Sequence, residues 1–135
     1  MPTEQKTNTI LFLLNDTDPI LMRVIKNKFQ KEAEWDCIIS TKYDDAVSLF
    51  LQEKPDVILT EIIIDDEKGR NGFDFIAEVK NKEIAKKVQI IIFTDLAQDE
   101  DRAKAEKLGV RYFFVKSKIS INQLMGEIQK NILID

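Results

Sequence analysis

The sequence contains no histidine, one cysteine, four glycines and three prolines in 135 residues. Without histidine, the chain itself cannot carry a Ser–His or Cys–His nucleophile pair or a histidine-ligated zinc site. Cys37 has no partner for an intramolecular disulfide, and its place in the apolar run Cys37-Ile38-Ile39 is typical of a small core residue. These absences exclude most histidine-based and thiol-based chemistry.

The chain also lacks an excess of basic residues and a long apolar run. It has 20 Lys and Arg against 24 Asp and Glu, for a net charge of -4. Proteins that bind phosphate backbones directly usually carry the opposite balance. The start of the chain has neither the basic residues nor the apolar stretch of a signal peptide. We therefore expect a cytoplasmic protein that contacts neither nucleic acid nor a membrane directly.

The residues that are present favour one compact domain. The hydrophobic fraction is 44% and the charged fraction 33%, which is enough apolar material for a buried core. We expect a single domain over residues 1–135, with its core over about residues 9–132, because the length lies within the usual range of about 100–150 residues.

Short apolar runs alternate with segments of helical periodicity along the whole chain. The predicted strands are Thr9–Leu14, Trp35–Ser40, Asp56–Thr60, Val88–Phe93 and Arg111–Val115. The first and fourth runs are apolar at nearly every position, which is typical of parallel strands covered on both faces. Helix signals lie between and after the strands, such as Asp18-Pro19 and the capping box of Ser120 with Gln123. This pattern predicts a doubly wound, five-stranded parallel sheet in three α/β/α layers.

In such a sheet, ligands bind outside the carboxyl ends of the strands. The residues that follow the strands are Asn15, Asp16, Thr17 and Asp18 after the first, Glu61 after the third, Thr94 and Asp95 after the fourth, and Lys116 and Ser117 after the fifth. Carboxylates, a hydroxyl and a lysine therefore meet at one edge. This set suits a hard cation and a phosphoryl group.

The chain resembles the receiver domain of two-component response regulators from about Thr9 to Ile132. The matching segments are Pro55–Thr60, Gly72–Ile76, Ile91–Thr94 and Leu108–Lys116. The resemblance implies a flavodoxin-like (βα)₅ fold, an acidic pair after the first strand, a phosphoryl-accepting Asp after the third, and Mg²⁺ held by these carboxylates. It also implies that Thr94 and Lys116 contact the phosphoryl group and that Phe113 occupies the position of the switching aromatic residue.

Two departures from the family pattern concern the site itself. Glu61 stands where receivers carry the acceptor Asp. The acidic pair is incomplete, because it falls on Asp16 and Thr17 if the first helix sets the register, and on Asn15 and Asp16 if the first strand does. The loop after Glu61 also looks longer than usual, and Ser117 replaces the proline that commonly follows the lysine.

These departures predict little or no phosphorylation. The extra methylene of Glu61 displaces its carboxylate, and a misplacement of about 1 Å can slow a reaction roughly 100-fold. With one carboxylate missing, we expect only a weak Mg²⁺ site formed by Asp16 and Glu61. Two interpretations of Glu61 stay open: it reaches Lys116 and mimics the phosphorylated state, or the two residues form a structural ion pair in a decayed site.

The leading hypothesis is a stand-alone signalling module of phosphorelay systems, not an enzyme, that acts by protein–protein interaction. Its partner would be a sensor kinase, an output protein or a second copy bound through the fourth helix, fifth strand and fifth helix. One alternative is a conventional, phosphorylatable receiver. A flavodoxin-like enzyme or flavin carrier is disfavoured, because the carboxylates at residues 16 and 18 would repel a phosphate.

Overall fold

The computed structural model describes residues 8–15, 17–32, 35–82, 87–96 and 98–132. The strands are β1 (Asn8–Leu13), β2 (Trp35–Ser40), β3 (Val57–Thr60), β4 (Gln89–Thr94) and β5 (Tyr112–Val115). The helices are α1 (Pro19–Gln30), α2 (Tyr43–Glu53), α3 (Gly72–Lys80), α4 (Asp99–Lys107) and α5 (Ile121–Glu127). A 3₁₀ turn, Lys116–Lys118, follows β5, and a π-helical turn, Ile128–Ile132, extends α5.

The five strands form one parallel sheet in the order β2-β1-β3-β4-β5. This order confirms the predicted flavodoxin-like fold, and each strand begins and ends within one residue of its prediction. The order reverses between β1 and β3, where the connections leave the sheet on opposite sides. The loops after β1 and β3 are therefore neighbours at the carboxyl edge.

Apolar side chains cover both faces of the sheet. On one face Phe12 packs edge-to-face on Phe29, which packs in the same way on Trp35, with ring centroids 5.5 and 5.7 Å apart. On the other face, Tyr43 packs edge-to-face against Phe75. These two clusters explain why the strands are apolar at successive positions. Within the described ranges, no helix is long and apolar enough to cross a membrane.

Local signals fix where the helices begin. Asp18 caps α1 by accepting a hydrogen bond from the Leu21 N–H at 3.1 Å, directly before the proline that starts the helix. The predicted capping box of Ser120 and Gln123 begins α5, with both reciprocal bonds present. Leu51, an apolar residue of α2, is 44% exposed.

Candidate functional site

The ends of β3 and β5 bring together two of the charged residues that the sequence placed at the carboxyl edge. The Lys116 Nζ lies 2.7 Å from the Glu61 Oε1, and the two side chains are only 16% and 7% exposed. A contact at this distance between two poorly hydrated, opposite charges is a charge-assisted hydrogen bond, shorter and stronger than a neutral one. Glu61 and Lys116 therefore form the centre of the site.

The other polar atoms of Glu61 are hydrogen-bonded to backbone groups and to the Thr60 hydroxyl. Its second carboxylate oxygen, Oε2, accepts a hydrogen bond of 2.6 Å from the Ile62 N–H. The Glu61 N–H donates to the Leu13 carbonyl at 2.9 Å, and the Thr60 hydroxyl donates to the Glu61 carbonyl at 2.9 Å. Both carboxylate oxygens and the backbone of Glu61 are thus engaged within the protein.

Lys116 reaches Glu61 across an intervening strand. β4 lies between β3 and β5 in the sheet, so the lysine stem has to span two strand spacings of about 4.8 Å each. The ammonium group lies 5.8 Å from the centroid of the Phe93 ring at the end of β4. A lysine has the length for this crossing, and it keeps its charge at the far end while its methylenes lie over apolar surface.

Asn15 connects the loop after β1 to the loop after β3. Its amide Nδ2 donates to the Ile63 carbonyl at 3.1 Å, and its Oδ1 accepts from the Thr17 N–H at 3.0 Å. The Thr17 side chain is exposed. Asp16, the predicted cation ligand, lies outside the described residues. Of the two residues proposed as its acidic-pair partner, the structure therefore brings Asn15 to the β3 loop and leaves Thr17 in solvent.

The contacts described for the two predicted switch residues, Thr94 and Phe113, are with residues other than Glu61 and Lys116. The Thr94 hydroxyl is buried and accepts a hydrogen bond of 3.2 Å from the Leu96 N–H in its own loop. Phe113 is half-buried, and the Arg102 guanidinium lies 4.8 Å from its ring centroid. The described hydrogen bonds thus connect Thr94 to its own loop, and Phe113 packs towards α4.

The loop after Glu61 is held by Arg70, a residue that the sequence did not single out. Arg70 donates to both carboxylate oxygens of Asp66 at 2.8 and 2.9 Å, contacts Asp44 at 3.0 Å, and lies 3.9 Å from the centroid of the Tyr43 ring. The Arg70 hydrogen bonds lower the pKa of Asp66 to about 2. Burial and a hydrogen bond to Glu78 raise the pKa of Tyr43 well above its usual range. Asp66 and Arg70 are four residues apart, but they lie in a loop, where the helical i, i+4 rule predicts no contact.

Gly72 is a second residue of the site whose role the sequence did not indicate. A Cβ at this position would lie 2.0 Å from the Glu61 carbonyl oxygen and 3.0 Å from the Ile62 Cα. The Gly72 N–H also donates to the Ile62 carbonyl at 2.8 Å. The first residue of α3 therefore packs directly on the backbone of Glu61, and glycine is the residue type that leaves enough space.

The comparison with known proteins agrees with this geometry. Residues 12–129 match the family model of the response regulator receiver domain. This chain therefore belongs to that family, whose members are signalling modules of two-component systems. Helical layers on both faces of a five-stranded parallel sheet are what the family's fold requires.

Individual relatives are more distant. The chain is 32% identical over 72 residues to the protein PilH of Pseudomonas aeruginosa, and this match covers 53% of the chain but only 57% of PilH. Among solved structures, the activated receiver domain of RstA from Klebsiella pneumoniae is 21% identical with a TM-score of 0.75, covering 90% of this chain and 96% of that one. The chemotaxis regulator CheY4 of Vibrio cholerae is 18% identical with a TM-score of 0.76, covering 92% and 98%. These structures show the shared fold.

Receiver domains typically bind Mg²⁺. The described ranges contain no group of three or more His, Cys, Asp or Glu side chains placed to hold a metal ion. Glu61, the carboxylate at the centre of the site, uses one oxygen for Lys116 and the other for the Ile62 N–H. Asp18 caps α1 instead. The described residues therefore do not fit a tightly held cation.

Proposed function

We propose that this chain is an atypical receiver, a single domain that acts in phosphorelay signalling by protein–protein interaction rather than by accepting a phosphoryl group. Glu61 replaces the acceptor Asp in this proposal. The observation that carries it is the buried contact of 2.7 Å between Glu61 and Lys116. It places a negative charge against the lysine without any phosphoryl group.

The chemistry of phosphotransfer supports this proposal. An acceptor carboxylate must attack in line with the donor, and positive charge must neutralise the phosphoryl oxygens. Here the Glu61 carboxylate is hydrogen-bonded through both oxygens, and the nearest cation, Lys116, is already paired with it. Attack would first require breaking these bonds in a poorly hydrated site. For the same reason we propose that any Mg²⁺ site formed by Asp16 and Glu61 is weak.

The ion pair has two candidate roles. If Glu61 mimics the phosphorylated state, its charge maintains the active arrangement; otherwise the pair only stabilises the fold. The Glu61→Gln change removes the charge at nearly constant shape. Loss of self-association in Glu61→Gln, measured by sedimentation, supports the mimic. An unchanged monomer–dimer balance assigns the pair to stability alone.

Receiver domains interact with kinases and with output proteins. For this chain we propose that the contact surface is the face of α4, β5 and α5, through which a second copy also binds. An open groove of about 740 Å³ on this face is lined by Phe113, Phe114, Ile119 and flanking polar residues. Phe113, beside both the groove and α4, is proposed as the residue that couples the site to this face. The net charge of -4 supports a protein partner over nucleic acid.

The decisive experiment exposes the protein to acetyl phosphate and Mg²⁺ and then measures its intact mass. We expect no phosphoryl adduct on the wild type and little on Glu61→Asp. The double variant Glu61→Asp/Asn15→Asp should be modified substantially more, because it repairs both the acceptor and the acidic pair. Glu61→Asp/Thr17→Asp is the matched control, since the Thr17 side chain is exposed.

Ready modification of the wild type at Glu61 would overturn the proposal and establish a conventional receiver. If Thr17→Asp rather than Asn15→Asp cooperates with Glu61→Asp, the first helix sets the register of the acidic pair. The contact of Asn15 with Ile63 supports the opposite result.

A further inference from the structure

We infer that two donors exclude a divalent cation from this site: the Lys116 ammonium neutralises the Glu61 carboxylate, and the Asn15 amide binds the Ile63 carbonyl. The inference deepens the proposed function, because it concerns the same residues. It states how the loops after β1 and β3 and the end of β5 are held together. Its test needs neither a phosphodonor nor a partner.

Four oxygens of the described site each accept a hydrogen bond from a nitrogen donor. The Glu61 Oε1 is bound by the Lys116 Nζ at 2.7 Å, and its Oε2 by the Ile62 N–H at 2.6 Å. The Ile63 carbonyl is bound by the Asn15 amide at 3.1 Å, and the Asn15 Oδ1 by the Thr17 N–H at 3.0 Å. None of the buried side-chain nitrogens and oxygens in the described ranges lacks a hydrogen-bond partner. Each of these four described oxygens, which a hard cation could bind, therefore already accepts a hydrogen bond.

A cation at this site would have to displace these donors or share the oxygens with them. Mg²⁺ takes oxygen ligands in near-octahedral geometry and gives up its water reluctantly. At Glu61 it would either separate the carboxylate from Lys116 or bind beside the intact pair, and in both cases it would lie close to the ammonium, whose side chain is only 16% exposed. Repulsion between like charges in a poorly hydrated site is unfavourable. The lysine and the cation therefore compete for one carboxylate.

Asn15 completes the exclusion on the other side of the site. Its Nδ2 holds the Ile63 carbonyl, two residues beyond Glu61, and an amide nitrogen cannot ligate a cation. An Asp at this position would replace that donor with an acceptor oxygen and add a negative charge. The exclusion of the cation thus depends on two residues from different loops, and each can be changed separately.

Thermal unfolding with and without about 10 mM MgCl₂, at matched ionic strength, tests this inference. A site with a dissociation constant of about 1 mM would raise Tm by roughly 4 °C under these conditions. We expect the wild type to shift by less than about 1 °C. The double variant Asn15→Asp/Lys116→Met should shift by several degrees, and the single variants by intermediate amounts. Lys118→Met, which removes an exposed lysine nearby, should behave as the wild type.

A Mg²⁺-dependent rise of several degrees in the wild type would overturn the inference. A folded double variant whose Tm is as insensitive to Mg²⁺ as that of the wild type would also overturn it, because removing the two donors would then not have created a cation site. If the double variant does not fold, the Tm shift of Asn15→Asp alone tests the inference, since this variant leaves the ion pair intact. An intermediate shift supports the inference, and no shift overturns it. If the wild type is phosphorylated although Mg²⁺ does not change its Tm, the proposed function is refuted and this inference stands.

Discussion

Replacing Gly72 by alanine tests how closely α3 packs on the backbone of Glu61. The added Cβ would lie 2.0 Å from the Glu61 carbonyl oxygen, about 1 Å closer than Cβ contacts in proteins allow. The obstructing atoms belong to the backbone, so no flexible side chain can move aside. Both the helix start and the loop after β3 would have to shift.

Overpacking of this kind costs about 1–3 kcal/mol, and more where backbone must move. We expect Gly72→Ala to lower the free energy of unfolding by about 3 kcal/mol. Gly126→Ala is the matched control, because a Cβ there meets nothing within 4 Å inside α5. Glycine is a poor helix former, so this change should stabilise the protein by about 0.5–1 kcal/mol.

Urea denaturation followed by circular dichroism measures both changes. With a slope of about 1.5 kcal/mol per molar urea, the Gly72→Ala midpoint should fall by roughly 2 M. The Gly126→Ala midpoint should rise slightly. A Gly72→Ala protein that is as stable as the wild type would refute the packing argument, since the loop after β3 would then be free to move away from α3.

Three further predictions concern single groups. Lys116→Met should lower the free energy of unfolding by about 3 kcal/mol, because it leaves the Glu61 carboxylate buried and unpaired, and Glu61→Gln in the same protein should restore much of the loss in a urea titration. Burial raises the pKa of Cys37 to about 12, so its alkylation at pH 8 should be roughly 1000-fold slower in the folded than in the unfolded protein, and equal rates would contradict this. The pKa of Asp66 is lowered to about 2, so its pair with Arg70 stabilises the fold above the ordinary carboxyl pKa and is lost as the pH falls towards 2. Melting temperatures of the wild type and Arg70→Gln should accordingly differ at pH 6 and converge near pH 2.

The sequence predicted the sheet because parallel strands leave a strong pattern. Strands buried on both faces have to be apolar at successive positions, and Leu11 and Phe12 show this directly, since both are fully buried on opposite faces. The meeting of Glu61 with Lys116 was predictable for a topological reason. The carboxyl ends of parallel strands lie at one edge, so residues that follow β3 and β5 must come close.

Other contacts of the site leave little trace in sequence. The bond from Asn15 to Ile63 ends on a backbone carbonyl, which every residue type has. The contacts of Arg70 with Asp44 and Tyr43 depend on the path of a long loop relative to α2. The need for glycine at position 72 comes from the proximity of another segment rather than from its own backbone angles. Each of these features is set by tertiary structure.

The crossing of Lys116 over β4 has a consequence for how the protein folds. Its partner Glu61 is 55 residues earlier in the chain, and β4 must lie between β3 and β5 before the two charges can meet at 2.7 Å. Contacts of such sequence separation form late, after the entropy of loop closure has been lost. We expect Lys116→Met to accelerate unfolding far more than it slows folding, which a chevron plot of the two rates can resolve. The ion pair then slows unfolding, and it forms only after β5 has joined the sheet.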